Sequence, residues 1–274
     1  MSKERTVKAA VCYDTEKPLV MEDVILEPPG KGEVTIRLAA TAICHSDIHM
    51  IKGEHGPCPL PAVAGHESAG YVEEVGEGVT YVKPGDPVIY TLIPVACGQC
   101  YYCSIGEHDQ CANHPITTRS PGKLRTKDGQ RIYQWYGTMA TFAEYATGSE
   151  LNLVKIPEDF PMDRAALISC GVIAGYGAAV NRGKVKPNRS VVVVGSGGVG
   201  LNAIQGSLFV GAYPIIAVDT NDKKLKLAKQ LGATYTINRN ETDNLAESVM
   251  ELNYGRLADY VIVAVAGIDI LREA

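Results

Sequence analysis

Four consecutive valines, Val191 to Val194, run straight into Gly195-Ser196-Gly197-Gly198-Val199-Gly200. An unbroken apolar run of this length suits a parallel strand buried on both faces, and such a strand requires helices above and below its sheet. The following residues supply them. Apolar periodicity predicts a helix over 199–210, a strand over 214–218, a Lys-rich helix over 223–231, a strand over 234–237, a helix over 244–253 and a strand over 259–265. Four strands alternating with helices make a right-handed βαβ sheet of the doubly wound class. Upstream of it, residues 162–179 are rich in Ala and Gly and predict packed helices around a tight corner at Cys170-Gly171.

The first half has a different period. Val34, Ile36 and Leu38 alternate with Thr35 and Arg37, the pattern of a half-buried strand, and 71–75 and 87–90 are further strand candidates. Gly76, Gly78 and the turn Lys83-Pro84-Gly85-Asp86 separate them. Residues 7–145 therefore predict an antiparallel barrel or sandwich with long loops. At roughly 150 residues per domain, a chain of 274 holds about two, with 1–171 and 172–274 as the expected division.

Charge and composition narrow the partners. Lys and Arg total 26 against 31 Asp and Glu, a net charge of −5 with no block of one sign, so nucleic acid is not an expected partner. The N-terminus carries no apolar signal core. The longest apolar stretch, 191–218, is broken by Gly195, Ser196, Gly197, Gly198, Asn202 and Gln205, so neither a signal peptide nor a membrane span is expected. Eight cysteines without an export signal indicate a reducing compartment, with the cytoplasm as the expectation, and there clustered thiols read as metal ligands.

Two motifs are compact. Cys97, Cys100, Cys103 and Cys111 are spaced C-x2-C-x2-C-x7-C. Four thiolates this close can complete a tetrahedral shell around Zn2+ with no open position, a structural site that ties down a loop with little apolar content. An iron–sulfur cluster is the competing metal reading, and four unrelated buried thiols the bland one. The other motif is the G-x-G-x-x-G of residues 195–200, after a buried strand and at the start of a helix. Gly195 permits the tight turn, Gly197 lets backbone approach a pyrophosphate at the helix N-terminus, and Gly200 allows the helix close to the strand. Asp219 ends the next predicted strand, 19 residues after Gly200. A carboxylate there would accept hydrogen bonds from adenosine ribose hydroxyls and repel a 2′-phosphate, favouring NAD over NADP; a helix N-cap is its alternative reading. Gly195, Gly197, Gly198, Val199, Gly200 and Asp219 are thus candidate cofactor contacts.

A third set is dispersed over Cys44-His45-Ser46-Asp47-Ile48-His49, Gly65-His66-Glu67 and Ser169-Cys170-Gly171. Cys44, His66 and Cys170 would supply the three mixed ligands of a catalytic zinc. Isolated buried cysteines and satisfied core histidines are commoner than ligands, so spacing leaves both readings open.

Taken in order, Cys44-x-Ser46-Asp47-x-His49, Gly65-His66-Glu67-x-x-Gly70-x5-Gly76, the four-cysteine lobe, Cys170-Gly171, and Gly195 to Gly200 with Asp219 resemble the zinc-dependent medium-chain alcohol dehydrogenases. The likeness runs from about Val7 to the C-terminus. Residues 137–145 and those just before them look most similar to the branch holding liver-type enzymes and glutathione-dependent formaldehyde dehydrogenases. The resemblance implies a GroES-like catalytic domain followed by a partial Rossmann domain, two zinc ions per chain (one catalytic, one structural) and NAD.

It also implies roles. Cys44, His66 and Cys170 match the catalytic zinc ligands, with Glu67 the acidic residue beside the metal and an ordinary salt bridge its alternative. The open position would take an alcohol oxygen, so that hydride leaves a zinc-bound alkoxide and alcohols and aldehydes interconvert. Asp47 matches the carboxylate that orients His66; a surface Asx turn is the alternative. Ser46 matches the hydroxyl that accepts the substrate proton, passed through the nicotinamide ribose to His49 and solvent. An exposed imidazole without a role is the alternative for His49. His45 sits where the family contacts the pyrophosphate. Lys224 matches a lysine on the adenosine ribose, against a solvated helix face.

Departures accompany the match. Ala174 stands where liver-type enzymes often carry a threonine. Cys12, His55, Cys58, His108 and His114 match no motif. The sequence stops nine residues past Val265, too few for a fifth and sixth strand. This predicts a fragment or truncated product, weakly active or inactive alone, of a homo-oligomeric parent. A non-catalytic zinc-binding module or partner subunit is the alternative function, and a metal-free quinone reductase is disfavoured by the two ligand sets.

Overall fold

The computed structural model describes residues 3–54, 59–92, 96–113, 122–136, 139–267, 270 and 272. His55, Cys58, His114, Gly137 and Thr138 lie outside the described residues. The chain divides into two compact units, Met1–Cys170 and Gly171–Ala274.

The first unit opens with β1 (Arg5–Cys12), β2 (Val20–Leu26), β3 (Glu33–Ala42), α1 (His45–Ile51), β4 (Ala62–Val63), β5 (Glu67–Val75) and β6 (Pro87–Tyr90). It continues through α2 (Tyr101–Ser104), β7 (Leu124–Arg125), β8 (Arg131–Gln134), β9 (Tyr145–Ser149), β10 (Leu153–Lys155) and α3 (Met162–Leu167). Strands β1-β2-β7-β8-β4 close a barrel, and β10-β6-β5-β3-β9 form a second sheet. Every pairing is antiparallel except β4 with β8, which is parallel. Alternation explains the barrel core: Val7, Ala9 and Val11 of β1 point inward onto Val24, Leu26, Val63, Leu124 and Ile132. The second sheet buries Val34, Ile36, Val72, Val88 and Tyr90 against Trp135, Tyr136 and Met139.

No corner forms at Cys170-Gly171. Residues Ile168–Val172 are a π-helical turn between α3 and α4 (Ile173–Gly177). The cause lies at Ser169, whose carbonyl accepts the Thr91 hydroxyl at 2.6 Å while its own hydroxyl donates to Ala166 O at 2.6 Å. Drawing that carbonyl toward another partner widens the helical ladder.

The second unit holds β11 (Val191–Val194), α5 (Gly198–Phe209), β12 (Ile215–Asp219), α6 (Asp222–Gln230), β13 (Tyr235–Asn238), α7 (Leu245–Leu252) and β14 (Tyr260–Val263). All of its strand pairs are parallel, in the order β13-β12-β11-β14. This is the order 3-2-1-4 of the first strands of a doubly wound sheet. Val191 and Val193 pack with Ala203, Ile204 and Ala217 on one face, and Val192 and Val194 with Val218, Ile237, Leu245 and Val249 on the other. Burial on both faces is what the valine run demanded. Element ends fall within one or two residues of the periodicity, β14 being shorter than expected.

Candidate metal centre and nucleotide cradle

Cys44 is the N-cap of α1, in extended backbone, and Asp47 is the third residue of that helix. Asp47 is fully buried, which excludes a surface turn. Its Oδ2 accepts the Cys44 backbone N–H at 2.9 Å, the reciprocal half of a capping box. Oδ1 accepts the Gly65 N–H at 3.0 Å and faces His66 Nδ1 at 3.2 Å. One carboxylate thus caps the helix carrying Cys44 and turns the His66 ring, leaving Nε2 available. His66 is the residue before β5, and Glu67 begins that strand.

Cys170 reaches the same point from the π-helical turn. Ser169 accepts the Ser68 N–H at 3.0 Å, so β5 and the turn are pinned together immediately beside Glu67 and Cys170. One ligand atom each of Cys44, His66, Glu67 and Cys170 lies within 4.8 Å of all the others. The Tyr136 ring packs on that of His66, with centroids 4.2 Å apart.

The electrostatics of this cluster favour a cation. Hydrogen bonds from the Cys170 thiol and from His66 hold the Cys44 thiol down at about 3, so its sulfur is anionic. The same contact with Cys44, together with burial, pushes the Cys170 thiol up. Burial works against the His66 cation, but Asp47 and the Cys44 thiolate outweigh it and raise His66 to about 9. Burial and then the Cys44 charge raise Glu67 to about 6. Burial, and next the Asp47 charge, push up the Tyr136 phenol. Donors that share protons in this way release them to a divalent ion. A soft and borderline set of two sulfurs, one imidazole and a carboxylate fits zinc.

The second cysteine group is equally compact: the sulfurs of Cys97, Cys100, Cys103 and Cys111 all lie within 4.8 Å of one another. Cys100 is 3.4 Å from Cys103 and 4.0 Å from Cys111, and Cys97 is 4.0 Å from Cys103. Disulfide sulfurs sit about 2.05 Å apart. A tetrahedron of Zn–S bonds of about 2.3 Å has edges of about 3.8 Å, so the spacing matches a single ion; several irons would force the thiols farther apart. One backbone and one side-chain amide donate to the sulfurs: Cys97 N to Cys111 Sγ at 3.3 Å, and Asn113 Nδ2 to Cys97 Sγ at 3.4 Å. Donation from Gln99 N and Asn113 lowers the Cys97 thiol to about 6, while burial raises that of Cys103 to about 11.

In the second unit the glycine turn fits a dinucleotide. Gly195 has φ +94°, open to glycine at little strain. A Cβ on Gly200 would lie 1.7 Å from the Gly195 carbonyl oxygen, so only glycine lets α5 start this close to the turn. A Cβ on Gly197, the N-cap of α5, or on Gly198 would meet nothing, which leaves the outer side of the cradle open. Val199 lies in the first turn of α5. The buried Ser196 hydroxyl has no hydrogen-bond partner among the described residues. Asp219 ends β12; Oδ2 accepts the Ser196 N–H at 2.8 Å and lies 3.8 Å from Lys224 Nζ, and Oδ1 accepts the Asn221 N–H at 3.0 Å. Asn221, rather than Asp219, caps α6.

A family profile described as "Alcohol dehydrogenase GroES-like domain" matches residues 30–158, and one described as "Zinc-binding dehydrogenase" matches 198–274. The chain is 39% identical over 273 residues to an alcohol dehydrogenase class-3 of Myxine glutinosa, covering 97% of this chain and 72% of the relative. It belongs to the zinc-dependent medium-chain alcohol dehydrogenases. Solved structures agree. An alcohol dehydrogenase zinc-binding domain protein from Burkholderia ambifaria superimposes with a TM-score of 0.90 at 33% identity, over 99% of this chain and 74% of that one. A benzyl alcohol dehydrogenase from Acinetobacter calcoaceticus does so with 0.87 at 32%, over 98% and 73%. This dehydrogenase is therefore a zinc- and NAD-dependent enzyme that interconverts alcohols and aldehydes, and the enzymatic reading is favoured over a non-catalytic module. Among the described residues, no helix is long and apolar enough to cross a membrane.

The remaining predicted residues lie on α1. His45 is exposed, Ser46 half-buried, and the rings of His45 and His49 are 6.0 Å apart. His49 Nδ1 contacts the Glu54 carboxylate. Sequence reasoning missed Tyr136, Glu54 and Thr91, and quoted Ser169 without a role. The adjacency of Ser169 to Cys170 was its one available signal.

Proposed function

We propose that Cys44, His66 and Cys170 hold the catalytic zinc, with Glu67 beside it, and that Cys97, Cys100, Cys103 and Cys111 hold a structural one. The observation that carries this reading is the convergence of Cys44, His66, Glu67 and Cys170 donor atoms within 4.8 Å. Gly195, Gly197, Gly198, Val199 and Gly200 cradle the NAD pyrophosphate at the N-terminus of α5, Asp219 accepts from the adenosine ribose, and Lys224 and His45 add positive or imidazole contacts. Metal chemistry thereby belongs to residues 1–171 and nucleotide binding to 172–274. When bound, zinc supplies Lewis acidity to an alcohol oxygen and NAD accepts hydride.

The chain's own residues handle orientation and protons. Asp47 fixes the His66 ring so that Nε2 faces the donor set. The Ser46 hydroxyl takes the substrate proton, and His49, at the far end of α1, delivers it to solvent. No disulfide joins the described cysteines, which supports a reducing compartment such as the cytoplasm. A homo-oligomer is proposed with it, to be checked by sedimentation.

The test is NADH formation from a panel of primary alcohols with and without chelator. Turnover abolished by chelator and restored by Zn2+ supports the assignment. Turnover that ignores the chelator overturns it.

A further inference from the structure

Four buried polar side chains meet next to the metal-binding donor set: Ser68, Thr91, Asn152 and Ser169 are each at most 3% exposed. They come from four separate stretches of the first unit, and none of them is a donor of the cluster. The Ser169 hydroxyl is occupied twice, accepting the Ser68 N–H at 3.0 Å and donating to Ala166 O at 2.6 Å. Its carbonyl is claimed by the Thr91 hydroxyl at 2.6 Å. Thr91 is itself held by its backbone, whose N–H donates to Asn152 O at 2.9 Å and whose C=O accepts Asn152 Nδ2 at 3.2 Å. The preceding Tyr90 pairs with Ser68 in the β5–β6 ladder, and Ser68 Oγ donates to Tyr90 O at 3.4 Å. The hydroxyl is thus presented from a fixed frame.

A valine at position 91 has the same branched shape and would bury no hydroxyl, so packing alone does not call for this oxygen. A satisfied buried network specifies one arrangement. Here the arrangement it specifies is the π-helical turn of Ile168–Val172, a widening of the kind that recurs at functional sites, and Cys170 lies inside it. Rewinding such a turn to α pitch would re-aim every side chain it carries. We propose that Thr91 is a positioning residue for the catalytic metal: its hydroxyl keeps the turn wide, so that Cys170 Sγ reaches the donors of Cys44, His66 and Glu67, and thereby sets the zinc affinity of that centre. The proposal rests on the metal assignment above, and it extends the control of that centre beyond Asp47 to a residue that touches no ligand side chain.

The test uses the full chain as wild type, Thr91→Val and Thr91→Ser. Zinc is withdrawn by a chromophoric chelator, and in parallel Co2+ replaces it; cobalt bands that move on adding imidazole report the centre with an open position, and bands that do not move report the four-cysteine site. Thr91→Val is expected to weaken the imidazole-responsive ion about tenfold and to shift its thiolate-to-cobalt charge-transfer band, leaving the other ion unchanged. Thr91→Ser, which keeps the hydroxyl, should stay within about threefold of wild type. Unchanged affinity and bands in Thr91→Val overturn the proposal, as does an equal weakening of both ions, which would mark a general loss of stability. A serine variant as weak as the valine one overturns it too, because the hydroxyl would not be the cause. If Thr91→Val does not fold, Thr91→Ala against Thr91→Ser makes the same comparison without the methyl group. A wild type lacking any imidazole-responsive cobalt band would break the metal assignment and the proposal with it, and that failure is seen before any variant is compared.

Discussion

The Oδ1 atom of Asp47 lies 3.2 Å from Nδ1 of His66, with both side chains buried. The same carboxylate takes the N–H of Cys44 at 2.9 Å and of Gly65 at 3.0 Å, so two metal-ligand positions share one anchor. Replacing it by Asn keeps the shape but turns an amide NH2 toward N–H donors. Asp47→Asn is expected to weaken zinc by about 10- to 100-fold and turnover by a similar factor. Competition with a chromophoric chelator measures the first. Unaltered zinc affinity would show that this contact does not govern the ligand.

The cysteine lobe can be separated from the catalytic group. Cys103 is buried and central among the four sulfurs. In Cys103→Ala the structural ion should be lost while that of the Cys44 group is retained, so metal analysis should report one site instead of two. Thermal stability should fall and proteolysis within 96–113 should rise, because a short lobe with few apolar contacts depends on its metal. A variant that keeps its full zinc content contradicts the assignment.

Two glycines of the cradle should respond oppositely. Gly200→Ala forces a Cβ against the Gly195 carbonyl and should destabilise the second unit by about 1–3 kcal/mol. Gly197 has φ −84° and open space at its Cβ position. Gly197→Ala should therefore leave stability within about 0.5 kcal/mol yet weaken NAD by about tenfold, or ~1.4 kcal/mol. Calorimetric melting and NADH fluorescence titration distinguish the two. Normal NAD binding by Gly197→Ala would remove the pyrophosphate from this turn.

Acid stability should depend on Asp259. It accepts Ser190 N–H and Ser190 Oγ–H, each at 2.9 Å, and these bonds, with Arg189 and Arg256 adding charge, hold its carboxyl below the usual value of 3.8. A carboxyl depressed in the folded state adds stability that is present above its unfolded pKa and is lost as pH falls through the folded one. The loss therefore lies below about pH 4. Asp259→Asn should melt at lower temperature than wild type at neutral pH, with the gap closing in acid. A gap independent of pH would assign the residue a purely steric role.

Much of this molecule was legible locally. The valine run, the glycines after it and the four cysteines within 15 residues are patterns of period and spacing, and the backbone obeys them because strand burial, left-handed φ and thiolate reach are short-range constraints. Ligand chemistry could nominate the dispersed zinc set but left it open until the resemblance was added, since no local period links Cys44, His66 and Cys170. Tertiary structure decided the remainder. It made Asp47 a buried anchor, replaced the expected corner at Cys170 by a π-helical turn drawn out by Thr91, and set Tyr136 on His66. Each of these depends on partners dozens of residues away, whose approach is determined by how two sheets and a helix pack. Chain order does not encode such distances; the filling of a shared core does.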